Sequence, residues 1–374
     1  MKFTCETKAL SKACQTVARA ASTSSNVPAL EGIKIEVKSD KATLSAYNLE
    51  LGIETVVESH GSAEDGAIVL GTKMLCGMMK KFPDFLTTIE AGKDNVAKIT
   101  SGEAKFEIVG IPASEFPEFP KVDEKKEISI QQTILKGMLK HTLFAVADDN
   151  LQPVYTGAYF KVESGSLTIV GLDGYRLAKC HKAIPYAGDP CDFIVPKATL
   201  TEIQSLLSDD EDKMVALSVG LRHAIFTIDG FTVITRLLEG EFLDYEQAIP
   251  KEHKTDILID THEMLQSVER VSLIVSDHLR SPIRMKVNNG GNTNQIDFSC
   301  NTALGHAKDS VHANTDGDSV EVGFNNAFLT EALKNSGCEE VELQLSGSLS
   351  PMVIRPSEGD EFVFLVLPVR MKSE

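Results

Sequence analysis

The sequence predicts an α+β fold made of three tandem copies of one unit, each with antiparallel strands and two helices on one face of its sheet. Three observations predict it. Self-similar stretches recur at an offset of about 125 residues, one third of the 374-residue chain. Each third places a helical apolar period directly after a short opening strand. Charged segments, Lys121 to Glu127 and Lys251 to Asp256, fall where consecutive copies would join. The units are therefore placed at 1–122, 127–250 and 256–374.

The opening strands are Phe3-Thr4-Cys5, Ile128-Ser129-Ile130 and Ile257-Leu258-Ile259. In the helix that follows, one face collects Leu10, Ala13, Cys14, Val17 and Ala21 in the first copy, and Leu135, Met138, Leu139, Thr142 and Val146 in the second. The third copy repeats the stripe less cleanly, with Leu265, Val268, Val271 and Val275. Alternating strands come next at Ile33–Val37, Tyr159–Val162 and Ile283–Val287, each followed by a turn and a further strand. Second helices are expected at Thr72–Phe82, Lys197–Leu207 and Asn325–Lys334. Each copy then closes with two or three strands, the first two leaving through proline-bearing segments that begin Glu115-Phe116-Pro117 and Glu241-Phe242-Leu243.

A hydrophobic share of 42% with 24% charged residues is that of a globular chain. The longest clear apolar run, Phe362 to Leu367, is strand-sized, and Met1-Lys2 leads straight into a strand, so a cytoplasmic location is expected. Seven scattered cysteines without a C-x-x-C pair read as small core residues in a reducing compartment. Cys180-His181 with Cys191 lacks a second ligand pair, so no metal site is expected.

The formal net charge of -17 argues against a general affinity for nucleic acid, so the placement of the cations matters. The polar side of the first helix holds Lys8, Lys12, Gln15 and Arg19 at helical spacing. The second helix carries Lys73, Lys80 and Lys81 away from its apolar face, and the middle copy repeats the arrangement with Lys136, Lys140, His141 and Lys197. The third copy is thinner, with Arg270 and Lys334, while loops take acids such as Asp209-Asp210-Glu211-Asp212. Exposed lysines on one helix are ordinarily just solvated. Their recurrence points to a lining that faces phosphates, and the absence of interleaved aromatics makes that contact independent of base sequence. Six units in a ring would set twelve helices side by side at ~10 Å, leaving an opening of roughly 30 Å, wide enough for a duplex. One chain supplies three units, so two chains joined head to tail are required.

With the triplication and the basic helices stands Gly171-Leu172-Asp173-Gly174-Tyr175-Arg176-Leu177, a tight turn that sends an aromatic, a cation and a leucine out of its tip. Together with Met1-Lys2-Phe3-Thr4, Phe242-Leu243-Asp244-Tyr245, Gly323-Phe324-Asn325 and the terminal Leu367-Pro368-Val369-Arg370-Met371, it resembles the bacterial DNA polymerase III beta subunit, the sliding-clamp family, over essentially the whole chain. The resemblance implies three repeats of the DNA-clamp fold, sheets outside and helices inside, in a ring-shaped homodimer around double-stranded DNA. It implies a non-catalytic processivity factor with no cofactor. The implied partners are the replicative DNA polymerase catalytic subunit, the clamp loader and, through short linear motifs, repair polymerases, ligase and mismatch-repair proteins. No G-x-x-x-x-G-K-[ST] loop occurs, as expected if ATP is bound by the loader.

The resemblance also implies a peptide pocket. Its floor would be Leu172, Gly174, Tyr175, Arg176, Leu177, Leu365, Val366, Leu367, Pro368 and Met371, with Val369 and Arg370 in the same tail. Its walls would be Gln152, Tyr155, Leu243, Gln247, Leu279, Asn325, Phe328, Leu349 and Pro351. Arg176 and Arg370 are expected to hold the peptide backbone or an acidic flank. Tyr175, Leu243, Gln152 and Gln247 depart from residues common in the family, and Ser22 to Val27 lacks an arginine often found there. Ring closure is implied at Lys105, Phe106 and Ile108, whose strand would pair with Gln295 to His306 of another copy, with Leu273 and Ile274 nearby. Asp148 to Gln152 is expected to form a rim loop near DNA, presenting Asn150 and Gln152.

Two rivals stand beside this reading. Asp148, Asp149 and Asp173 are carboxylates a nuclease could use for a metal, but adjacent aspartates on a loop diverge and no partner ligand returns at a fitting spacing. A peptide-binding adaptor that never encircles DNA would keep the pocket and not need the basic helices.

Overall fold

The computed structural model describes residues 1–83, 85–122, 126–149, 151–275, 281–288 and 295–371. By contacts the chain divides into two compact units, Met1–Thr133 with Thr201–Leu237, and Ile134–Leu200 with Leu238–Glu374. The first unit holds a four-stranded sheet, in order Lys2–Glu6, Leu86–Ala91, Val96–Ser101 and Ala104–Val109. It also holds a nine-stranded sheet whose centre pairs Phe231–Arg236 with Leu51–Glu58. The second unit repeats the scheme: nine strands centred on Arg176–Ala183 paired with Phe362–Val366, and four strands in order Gly305–His312, Gln295–Thr302, Ile283–Val287 and Val320–Phe324. All strand pairings between named strands are antiparallel.

The two-unit division has a plain cause. Each large sheet is made by two consecutive repeats, since Leu51 faces Thr235 and Arg176 faces Val366 across the seams. The middle repeat therefore contributes strands to both units. A repeat read in isolation, with its own sheet, is thus corrected: the last strand of one repeat completes the sheet of the one before.

The helices are α1 (Thr7–Val17), α2 (Thr72–Met79), α3 (Gln132–Thr142), α4 (Lys197–Leu206), the single turn α5 (Tyr245–Ala248), α6 (Thr261–Ser272) and α7 (Asn326–Ser336). Leu10, Ala13, Cys14 and Val17 are buried on α1, as their spacing demands, while Ala21 lies beyond its end. On α6 Val268 and Val271 are buried as expected, together with Met264 and Ser267, while Leu265 and Val275 are half-buried and pack against the same core. The helix starts at Thr261, capped by the Asp260 carboxylate accepting from the Glu263 N–H at 2.8 Å. Asn325 caps α7 through Ala327 N–H, and Gly337, at φ +68°, ends it in the left-handed conformation that glycine adopts freely.

The strand Phe362–Val366 is apolar throughout because both its faces are covered. Phe362, Phe364 and Val366 join the core beneath α6 and α7; Val363 and Leu365 face the other way, onto Tyr245. Burying aromatic pairs such as Phe362 and Phe364, stacked at 4.3 Å, contributes the largest share per residue of such a core. No helix of the described residues is long and apolar enough to cross a membrane.

Candidate functional sites: a basic helix face and an apolar ledge

In a chain with 54 acidic residues, α1, α2 and α3 contain no Asp or Glu. Lys8, Lys12, Arg19, Lys73, Lys80, Lys81 and Lys140 are exposed, and Lys136 is half-buried. Among the described residues no carboxylate forms an ion pair with Lys8, Lys12, Lys73, Lys80 or Lys81. Lys12 lies 6.0 Å over the Phe231 ring, and Arg19 reaches Glu202 on α4 at 3.1 Å. Lys197 differs from the others. Its Nζ donates to the Val146 carbonyl at 2.9 Å and to Asp148 Oδ1 at 2.6 Å, so it braces the loop after α3. That bond holds the Asp148 carboxyl below its ordinary range. Gln152 is exposed on the same loop; Asn150 lies outside the described residues.

The Asp173–Arg176 turn shows how a ledge is built. Asp173 Oδ1 accepts from the N–H groups of Tyr175 and Arg176 at 2.9 and 3.0 Å, and Gly174 takes φ +91° between them. This fixes the tip and leaves Tyr175 64% exposed, stacked on Phe328 with centroids 6.1 Å apart. The Tyr175 carbonyl accepts from Leu367 N–H at 2.9 Å, which brings the C-terminal tail alongside. Val369 N–H then donates to the Gly323 carbonyl at 2.8 Å, and Met371 packs on Gly323, where a Cβ would sit 2.8 Å from Met371 Cγ. Leu243, Leu349, Leu367 and Val369 stay substantially exposed.

Strand alternation divides the expected floor. Leu172, Leu177 and Leu365 belong to one cluster with Val170, Val353, Val363 and Tyr245, whereas Val366 points into the core on the opposite face. Arg176 also points that way. Its Nε donates to Asp173 Oδ2 at 2.9 Å, it pairs with Glu331, and its guanidinium lies 4.6 Å from the Phe328 ring. With 11% of the side chain exposed, Arg176 supports the ledge rather than offering a free cation to a ligand; Arg370 is exposed. Asn325 spends its side-chain oxygen on the cap of α7, and Gln247 donates to Asp244 at 2.6 Å. Tyr155 packs edge-on to Phe242, Pro351 and Pro368 are half-buried, and Leu279 lies outside the described residues.

Each four-stranded sheet leaves one end strand with a partner on one side only among the described residues. Ala104–Val109 ends one small sheet, with Lys105 and Phe106 exposed and Ile108 half-buried. Gly305–His312 ends the other. The expected partner strand is corrected here: Gln295–Thr302 is paired on both sides, so the open edge is its neighbour. Leu273, 83% exposed, rims a groove of about 570 Å³ between α6 and α7, and Ile274 packs against the core behind it.

Family models for the DNA polymerase III beta subunit match in order: the N-terminal domain over residues 1–120, the central domain over 129–244 and the C-terminal domain over 246–370. The chain belongs to this family. It is 28% identical to the beta sliding clamp of Bacillus subtilis over 380 residues, covering 99% of this chain and all of that one. A crystal structure described as a DNA polymerase III beta subunit from Eubacterium rectale superposes with a TM-score of 0.93 at 30% identity, covering 99% of each chain. The Bacillus subtilis DNA polymerase sliding clamp superposes with a TM-score of 0.94 at 27% identity over the full length of both. The three-domain clamp fold follows for this beta-subunit chain.

Sequence reasoning missed the aromatic buttress of this family member's ledge. Phe242 stacks on Tyr159 at 5.0 Å, and Tyr245 lies 6.1 Å from Tyr159. The signal was the spacing of Phe242 and Tyr245 just before a proline-ended turn, which the earlier Phe116 and Phe119 repeat.

Proposed function

We propose that the chain is a processivity factor that encloses double-stranded DNA without reading its sequence and tethers the replicative polymerase through the Tyr175–Leu367 ledge. The proposal assigns no catalytic step, metal or cofactor to it. The observation that carries the reading is the charge separation: in a molecule of net charge -17, the acid-free helices α1, α2 and α3 carry exposed lysines. The repeats run over 1–122, 127–250 and 256–374, and the clamp loader, repair polymerases, ligase and mismatch-repair proteins share the ledge through short linear motifs.

Ring closure follows from the seams. Leu51–Glu58 takes the last strand of the second repeat, and Arg176–Ala183 takes the last strand of the third. Gly305–His312 is the corresponding strand of the third repeat, and Ala104–Val109 is the last strand of the first small sheet. A second copy would complete both edges in a head-to-tail dimer. Copying the seam register, in which Thr232 faces Glu54 and Val363 faces Lys179, sets Lys105 opposite Lys308 of the other copy. Cysteines at these two positions, about 5 Å apart between Cβ atoms, are expected to form an intermolecular disulfide that makes a covalent dimer on denaturing gels.

The decisive experiment loads the protein on circular duplex with its loader, raises the salt, and then cuts the circle. Retention on the circle with release from cut ends is expected. Release at high salt from the intact circle, or a monomer by light scattering at working concentration, removes the enclosing ring.

A further inference from the structure

At both seams within the chain, a cation of one repeat meets a glutamate on the second helix of the next. Arg19 Nη1 donates to Glu202 Oε2 of α4 at 3.1 Å and also reaches Ser205 Oγ. Arg176 pairs with Glu331 of α7, with the Phe144 ring 5.7 Å from its guanidinium. Buried residues align the repeats around these pairs. Leu10, Cys14 and Val17 of α1 correspond to Leu135, Leu139 and Thr142 of α3 and to Met264, Val268 and Val271 of α6. Arg19, Phe144 and Leu273 therefore hold one place just past the three helices. Likewise Leu75 and Met78 of α2 correspond to Leu200 and Ile203 of α4 and to Leu329 and Ala332 of α7. Gly77, Glu202 and Glu331 then share a position, and so do Met74, Thr199 and Phe328.

The third repeat and the first carry neither half of this ion pair. Leu273 stands in the place of Arg19, and Gly305, two residues into the register that follows Ala307, in the place of Arg176. On α2 the glutamate has become Gly77. That position is open: among the described residues a Cβ built there meets nothing within 4 Å. A glycine inside a helix weakens it, and a helix that needed only to avoid carboxylates could carry alanine or lysine instead. The glycine is explained by the room it leaves. Three residues earlier on the same side of the helix, Met74 is 58% exposed. Its counterparts are covered, Thr199 buried and Phe328 half-buried with its ring 4.6 Å from the Arg176 guanidinium. Leu273 is 83% exposed. A bare leucine in one repeat and a bare methionine beside a notch in another thus occupy the positions that meet at the seams within the chain.

We propose that Leu273 of one copy seats in the notch over Gly77 of a second copy, against Met74, so that an apolar knob holds the seam between chains where an ion pair holds the seams within one. The proposal names the contact that selects the partner in ring closure and rests on that reading. Wrong pairings are disfavoured by the same exchange: Leu273 against Glu202, or Arg19 against Gly77, leaves a charge unanswered.

The test follows the oligomeric state of the full chain by mass photometry over a dilution series. Gly77→Glu and Leu273→Arg are each expected to weaken the dimer roughly a hundredfold, because a closed dimer contains the contact twice. Mixing the two variants should restore it. One contact is then parental, and the other sets the introduced arginine against the introduced glutamate, as Arg19 is set against Glu202. The restored dimer should lose stability with rising salt more steeply than the parent. Leu273→Ala adds no charge and should weaken the dimer roughly tenfold, which keeps the test decisive if a charged variant fails to fold. Variants that all dimerise as the parent does, or a mixture of the charged variants that stays monomeric, overturn the Leu273–Gly77 contact while leaving the ring in place. A parent chain that is itself monomeric overturns the ring reading, and the proposal with it.

Discussion

The helices of the first repeat and those of the third occupy the same places in the fold and differ in charge. Helices α1 and α2 carry no carboxylate, and their lysines stand unpaired among the described residues. Helices α6 and α7 carry Glu263, Glu269 and Glu331. Their two cations are already engaged: Lys334 with Glu269 at 2.8 Å, and Arg270 with Asp309 at 2.7 Å. An unpaired surface lysine can release a counterion when it meets a phosphate; a lysine already neutralised by a carboxylate gains little. If these helices face a duplex, as proposed, the first repeat would hold it strongly and the third weakly.

The largest effect should come from reversing charge where it is free. Changing Lys8, Lys12 and Lys73 together to Glu is expected to weaken binding to linear duplex roughly a hundredfold at ~0.1 M salt and to lower the salt slope by about 2.7. Anisotropy titrations across a salt series read both quantities. Reversing Arg270 and Lys334 instead should cost less than about threefold, because each already has a carboxylate partner. Equal losses from the two sets would break the comparison.

The middle repeat sharpens it through pH. Helix α3 is acid-free like α1, but its last turn carries His141, packed on Phe362 at 5.0 Å and beside Cys180 Sγ at 3.6 Å. Burial pushes this imidazole below its usual range; Lys140 and Lys182 act in the same direction and Glu361 opposes them. The unfolded chain then binds a proton that the folded one resists, so stability is lost as pH falls through about 6.5, the ordinary histidine value. Thermal melts at pH 8 and pH 5.5 should show that loss, and His141→Gln should flatten it. A variant as pH-sensitive as the parent would place the titration elsewhere. The smallest expected effect is the Lys334–Glu269 pair itself, whose side chains are 53% and 46% exposed. A double-mutant cycle should give about 0.2–1 kcal/mol, shrinking with salt.

Periodicity carried the reading where side-chain chemistry repeats locally. The buried face of α1 and the lysines opposite it could be placed from spacing alone, and the strand Phe362–Val366 from the length of its apolar run. On α6 spacing placed Val268 and Val271 but failed to find the buried Met264 and Ser267. It failed again on Arg176 and Lys197, whose charges are absorbed by Asp173 with Glu331 and by Asp148. A sequence shows that a cation exists and which helix face it occupies; it does not show which carboxylate the fold brings within reach.

By itself, then, the sequence determined three copies of one plan, an acidic body with basic helices, and an aromatic and cationic turn at Asp173 to Leu177. Only the tertiary structure decided that neighbouring repeats share their large sheets, that Ala104–Val109 and Gly305–His312 are end strands of the small ones, and that one seam keeps an apolar ledge while the other is plugged by Phe119. The reason is that local periods are fixed by the geometry of a single helix or strand. Pairing across a seam depends on contacts between residues far apart in the chain, such as Leu51 with Thr235, which no local pattern records.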